Sequence, residues 1–156
     1  LGVAGMQTSA VANTHLAHQY SQAALLAQSI AENLRANPTA VAAGLYQHSA
    51  GSSIPPASKN CAASVCTPPE LALWNLATWN AYLTGSNEAQ KVSSEEHNAP
   101  GLASAKLSII CQESCDAHSI QLITVYWDAR RNGATGIACD PSSLSDLICF
   151  RLAYAP

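Results

Sequence analysis

From Leu1 to Asn37 the chain carries one apolar stripe, and Pro38 closes it. Ala4, Val11, Ala12, Leu16, Ala23, Leu26, Ala27, Ile30 and Leu34 recur at steps built from threes and fours, the period of a helix with one buried face. The stretch holds one Glu, one Arg and no internal proline. At about 1.5 Å per residue such a helix runs roughly 54 Å, longer than a compact domain of this size is wide. Part of it must therefore extend past whatever the rest of the chain folds into. Leu1, Gly2, Val3, Ala4 and Gly5 include no capping side chain. The expectation is a helix that continues upstream of Leu1 into a further apolar segment.

The remaining composition narrows the compartment and the partners. A chain of 156 residues suits one domain, read as a long helix over 1–37 and a globular head over 38–156. Only 11% of the residues are charged and the net charge is −3. There is no lysine- or arginine-rich block, so binding to nucleic acid by charge is poorly supported. Arg130-Arg131 is the only basic pair and reads as a solvated turn. There is no apolar run of about 18 residues and no basic leader with a cleavage site.

Six cysteines, at 61, 66, 111, 115, 139 and 149, fall in three close pairs. An even count at such spacings points to disulfides made in an oxidising compartment. Six cysteines allow 15 connectivities. The simplest joins nearest neighbours: Cys61–Cys66, Cys111–Cys115 and Cys139–Cys149. Each bridge closes a short loop, which is worth about 2–3 kcal/mol on the chain-entropy account. Such bridges fix loops more than they hold a fold together. A structural zinc site is the lesser reading, because the spacings are not those of zinc knuckles and only His118 lies near a cysteine pair.

Further along, residues 39–60 are rich in Ala, Ser, Gly and Pro and read as a surface loop, with a helical turn near Val41–Tyr46. Thr67-Pro68-Pro69-Glu70 is a helix start: a cap, proline at the first helical position, and a glutamate that completes a capping box. That helix is expected to reach about Leu83, with Ala72, Leu76, Trp79 and Leu83 inward, Leu73 beside them, and Gly85 as its stop. Residues 84–103 read as a polar loop. Lys106–Gln112, Ile120–Trp127 and Asp146–Tyr154 are rich in β-branched and aromatic residues and read as strands, the first two joined as a hairpin. In the last, Ile148, Phe150, Leu152 and Tyr154 alternate with Cys149 and Arg151, so one face is buried.

Residues able to do chemistry have simpler readings. His15 and His18 sit one helical turn apart, but no third metal ligand is near them in sequence. Asp116-Ala117-His118 lies in a tight turn, where polar residues belong anyway. Asp128, Asn132 and Asp140 match no cation-loop pattern, and no phosphate loop, GxSxG elbow or HExxH is present. No turnover, no metal and no cofactor are expected. Trp74, Trp79 and Trp127 read as packing residues, with Trp74 off the inner stripe and a candidate for a subunit contact.

Taken in order, these pieces resemble the PilV-type minor pilins of type IV pili. Leu1-Gly2-Val3-Ala4-Gly5-Met6-Gln7 resembles the stretch that follows the membrane-inserted part of their N-terminal helix. Tyr20-Ser21-Gln22-Ala23 and Ala31-Glu32-Asn33-Leu34-Arg35-Ala36-Asn37-Pro38 are similar to the way that helix ends. Cys61…Cys66-Thr67-Pro68, Ile123-Thr124-Val125-Tyr126-Trp127 and Cys139…Cys149-Phe150 fit the rest of the plan. The likeness covers most of the chain outside 39–58 and 84–103. The family's cleavage site, methylated first residue and assembly glutamate lie upstream of Leu1, so no processing residue carries over.

The resemblance implies an α+β type IV pilin fold, with the long helix packed on an antiparallel sheet and a second short helix. It implies a structural role in priming pilus assembly within a tip complex. The implied partners are other minor pilins, the major pilin and a large tip adhesin, with the inner membrane reached through the upstream segment. The implied location is the inner membrane and periplasm before assembly, then the surface pilus that serves adhesion and twitching motility. Leu1, Val3, Ala4, Met6, Gln7 and Val11 on the helix stalk are the expected subunit contacts, together with the loops at 39–60, 84–103 and 128–140. The other readings are a minor pseudopilin of a type II secretion system and a pilus-tip receptor.

Overall fold

The computed structural model describes residues 2–86, 89–92, 95–98, 101–116 and 118–155; at 2–9, 11, 12, 89–92 and 95–98 the description is of backbone alone. Helix α1 runs Gly2–Ala36, about 52 Å at the helical rise. It is followed by α2 (Pro38–Ala42), α3 (Pro68–Thr84), β1 (Ala89–Val92), β2 (Glu95–Asn98), β3 (Lys106–Cys111), β4 (Gln121–Trp127) and β5 (Ile148–Tyr154). Among the described residues no helix is long and apolar enough to cross a membrane.

Pro38 does more than stop α1. It opens α2 at the first helical position, where its missing N–H is no loss. The short helix therefore lies at Pro38–Ala42, upstream of the turn expected near Val41–Tyr46, and Gly44 with φ 67° carries the chain out of it. Asn37, at the joint, is buried. Its Nδ2 donates to Tyr46 Oη at 3.1 Å and to the Pro68 carbonyl at 2.9 Å. Asn75 Nδ2 donates to the same Tyr46 oxygen at 2.9 Å. These bonds tie the end of α1, the loop and the start of α3 into one satisfied polar knot, the condition for burying amides at all.

Helix α3 begins as its sequence directs. Glu70 Oε2 accepts the Thr67 N–H at 2.8 Å and the Thr67 hydroxyl at 2.9 Å, and Lys59 lies 3.3 Å away. The helix extends one residue past Leu83, and Gly85 closes it at φ 69° while Ser86 N–H returns to the Ala81 carbonyl. Trp74 is half-buried. The backbone and hydroxyl bonds from Thr67, and then Lys59, hold the Glu70 carboxyl below its ordinary value. A depressed carboxylate adds stability above its unfolded pKa, and that stability is lost as pH falls through the folded value. Glu70→Gln is therefore expected to lower Tm at neutral pH, with the gap from wild type beginning to close near the ordinary glutamate pKa of about 4.3 and vanishing only below the depressed folded value. Melting curves across pH 3–7 check this, and a constant gap between them would refute it.

The main sheet is an antiparallel meander in the order β3-β4-β5, with Ile109, Ile123 and Leu152 in register across it. Its strands are shorter than their sequence signals. Gln112 N–H still donates to the Ile120 carbonyl at 2.9 Å, beyond the last residues of the ladder. Asp146 stands outside β5 and forms an isolated parallel bridge with Gly136. The outer edge of β3 is covered by His48, which exchanges two backbone bonds with Ile109 at 2.8 and 2.9 Å. Residues 84–103, expected to be a polar loop, contain the β1–β2 hairpin, with Ala89 opposite Asn98 and Val92 opposite Glu95. Its two tetrapeptides, Ala-Gln-Lys-Val and Glu-Glu-His-Asn, have no apolar alternation to mark them as strands.

One core joins the layers. Ala23, Ala27, Ile30 and Leu34 of α1 meet Ile109, Ile123, Val125 and Trp127 of the sheet, and Ala72, Leu76, Trp79 and Leu83 of α3 belong to the same cluster. The second face of β4 is covered too. Tyr126 packs with Ala134, Leu147 and the Cys139–Cys149 pair from the loop that leads into β5. In β5, Ile148, Phe150 and Leu152 are only half-buried, because the strand lies at the sheet edge.

Candidate functional site

The surface with the most contact potential is built on α1. Ala10 and residues 13–18 are all exposed. Among the residues whose side chains are described, the first buried one is Gln19, at 1% exposure, and from Ala23 the inner stripe is closed off from solvent. Trp127 sets this boundary. Its Nε1 donates to Gln19 Oε1 at 3.2 Å, and Tyr20 stands edge-on to its ring at 5.0 Å. Trp127 is the last residue of β4, so the helix leaves the head where the sheet ends. Leu16 belongs to the apolar stripe of α1, which would place it with the packed residues, yet it is exposed because it lies beyond that end. Leu16, Tyr20 and Leu25 leave apolar surface on the helix, Leu25 at 66% exposure. Of the anticipated stalk contacts, Val3, Ala4, Met6, Gln7 and Val11 lie in the backbone of α1, and Leu1 lies outside the described residues.

A second group of exposed apolar residues sits on the loops. Leu45 and Ile110 flank the covered edge of β3, and Val65, 92% exposed, stands in the Cys61–Cys66 loop. Ile137 and Leu144 project near the Cys139–Cys149 loop. That loop is held firmly. Arg130 donates to the carbonyls of Pro141 at 2.8 Å and Ser143 at 3.4 Å, and Asn132 Nδ2 donates to the Leu144 carbonyl at 2.9 Å. Arg130 is thus a clamp, not a free turn residue. Sequence reasoning passed over Val65 and Leu144; the available signal was a lone large apolar residue in each of two short polar stretches, Ala62–Cys66 and Pro141–Asp146.

The groups considered for chemistry take part in turns. Asp128 Oδ2 accepts Gly133 N–H at 2.8 Å, and Asn132 Oδ1 accepts Ala134 N–H at 3.2 Å. Asp140 is held low by the Ser142 hydroxyl and N–H, and Asp116 by the His118 N–H and then the Ser119 hydroxyl. His15 and His18 are exposed on α1, and among the described residues no three metal-ligating side chains gather. Cys61–Cys66, Cys111–Cys115 and Cys139–Cys149 are each bonded, with Cα separations of 5.6, 5.5 and 5.5 Å. The surface can therefore bind by apolar contact and loop shape.

A long helix laid across an antiparallel three-stranded sheet is consistent with the α+β fold of a type IV pilin. A family model described as type IV pilin Tt1218 (Tt1218-like) matches residues 5–77, which hold most of α1, all of α2, the loop after it and the start of α3. The match covers 73 of the 156 residues and supports a type IV pilin. No curated protein and no solved structure matches the chain.

Proposed function

We propose that the protein is a minor pilin of the PilV type that helps to prime pilus assembly within a tip complex. The observation that carries this reading is the division of α1 at Gln19. One half is locked to the head by apolar packing and the Trp127 bond, and before it Leu16 stands in a stretch, residues 13–18, whose side chains are all exposed. A helix with bare apolar residues buries them against another helix. The role is packing, with no substrate turned over and no cofactor held. The partners are other minor pilins, the major pilin and a tip adhesin, met through the helix and through the rigid loops that carry Ile137 and Leu144.

Mixed with partner minor-pilin ectodomains, the protein is expected to elute from a sizing column as a complex, and Leu16→Ala is expected to weaken that complex about tenfold. Deleting the gene is expected to reduce surface pili while the major pilin pool stays intact. Normal pilus number with failed adhesion or DNA uptake would replace priming by a receptor role. Intact pili with failed protein secretion would point to a pseudopilin.

A further inference from the structure

Among the three disulfides, one sits in surroundings unlike the other two. Cys111 ends β3, and Cys115 lies in the link to β4, four residues on. Gln47, from the loop after α2, accepts the Cys111 N–H on its Oε1 at 3.1 Å. That bond fixes which end of the amide is which, and it brings Nε2 to 3.0 Å from Cys111 Sγ. Gln121, buried at the start of β4, places its own Nε2 at 3.2 Å from the same sulfur. Its orientation is fixed too, by donation from Nε2 to the Ser119 carbonyl and by acceptance of Gln47 Nε2 on Oε1, both at 3.3 Å. Two oriented amide nitrogens therefore stand 3.0 and 3.2 Å from one sulfur, nearer than the Gln121 Oε1 at 3.5 Å. Among the described residues, no N–H group is aimed at Cys115 or at the sulfurs of the other two bridges.

A disulfide sulfur is a weak acceptor, whereas a thiolate is an anion that binds N–H donors strongly. Donors already in place at Cys111 gain most when that sulfur becomes anionic. They lower the pKa of the departing thiol and favour the open form. We propose that Cys111–Cys115 is a thiol–disulfide exchange site that reacts with a dithiol, and that Cys111 is the sulfur that leaves. A thiolate of the dithiol attacks Cys115 Sγ and forms a mixed disulfide. The Cys111–Cys115 bond breaks, and its electron pair departs on Cys111 Sγ between the two amides. The second thiol of the dithiol loses its proton and attacks its own sulfur in the mixed disulfide. The dithiol is oxidised to its disulfide, Cys115 is released as a thiolate, and the two protons given up by the dithiol balance those taken up by the cysteines. Both cysteines are partly exposed beside the solvent-facing Gln112, Glu113 and Ser114, so the reductant has access. Gly44, in the loop after α2, lies beside Cys115: a Cβ added there would touch the Cys115 side chain at 3.4–3.5 Å, an ordinary contact distance. Opening the bridge thus alters the contact between the loop after α2 and the β3–β4 hairpin.

The test is to equilibrate the protein with graded ratios of reduced to oxidised dithiothreitol and to read each cysteine pair by differential alkylation and mass spectrometry. Cys111–Cys115 is expected to open at the lowest ratio. Gln47→Met, at an exposed position, and Gln121→Met are each expected to raise the ratio it requires about tenfold, close to 30 mV for a two-electron couple, while the other two pairs stay unchanged. In Cys115→Ser, the alkylation rate of Cys111 against pH is expected to give a pKa below the ordinary thiol value of about 8.5. Opening of this pair together with or after the others would overturn the proposal. So would no shift in either glutamine variant, or a Cys111 pKa at or above the ordinary value.

Discussion

Replacing Trp127 by alanine is expected to destabilise the protein by about 3–5 kcal/mol, the range for removing a fully buried large aromatic side chain. The loss has two sources. The indole fills the end of the core, and its N–H partners the Oε1 of Gln19, a side chain that α1 buries almost completely. Without the indole, Gln19 keeps a buried amide that has lost its bond, a cost of about 1–3 kcal/mol that the cavity term does not include. Trp127→Phe retains much of the volume and removes only the donor, so its cost is expected to be smaller. Urea unfolding of the two variants separates the terms. Equal losses would mean that the hydrogen bond contributes little.

Ile30→Ala is expected to cost about 2–5 kcal/mol, because Ile30 is fully buried between α1 and the sheet and α1 cannot sink to refill the space. Leu26→Ala removes a half-buried side chain and is expected to cost less. Leu16→Ala, on the exposed part of α1, is expected to change stability by under about 0.5 kcal/mol. Its effect belongs to assembly. Comparable destabilisation by Ile30→Ala and Leu16→Ala would abolish the division of α1 into a packed half and a bare one.

The two long helices were legible because their signals are local. The stripe from Ala23 to Leu34 has the helical period, and Thr67-Pro68-Pro69-Glu70 contains its own cap. The three strands of the meander were legible from their apolar and β-branched runs, to within two residues at each end. What the sequence hid depends on how elements meet. Leu16 and Gln19 look like an inner and an outer residue, yet they are exposed and buried respectively. Only the length of β4 and the position of Trp127 decide that, and neither is written in α1. The β1–β2 hairpin was illegible because its tetrapeptides, Ala-Gln-Lys-Val and Glu-Glu-His-Asn, show no apolar alternation. Arg130 read as a solvated basic residue, and its clamp on the Pro141 and Ser143 carbonyls appears only once the connection from β4 to β5 folds back on itself. The bare surface of α1 was partly legible, since a helix this long overruns its domain; the loop residues Val65 and Leu144 were not.

The bridges join residues only 5, 4 and 10 positions apart. Closing a segment of about ten residues takes on the order of 10–100 ns, so encounters between partners are frequent in the unfolded chain. Joining Cys61 to any cysteine of the last third requires a loop several times longer, at a greater entropic cost. Oxidation of the newly made chain is thereby biased towards the native set from the outset. Oxidative maturation of this protein should need an oxidant but little proofreading by an isomerase, and it can proceed whether or not the head has already folded.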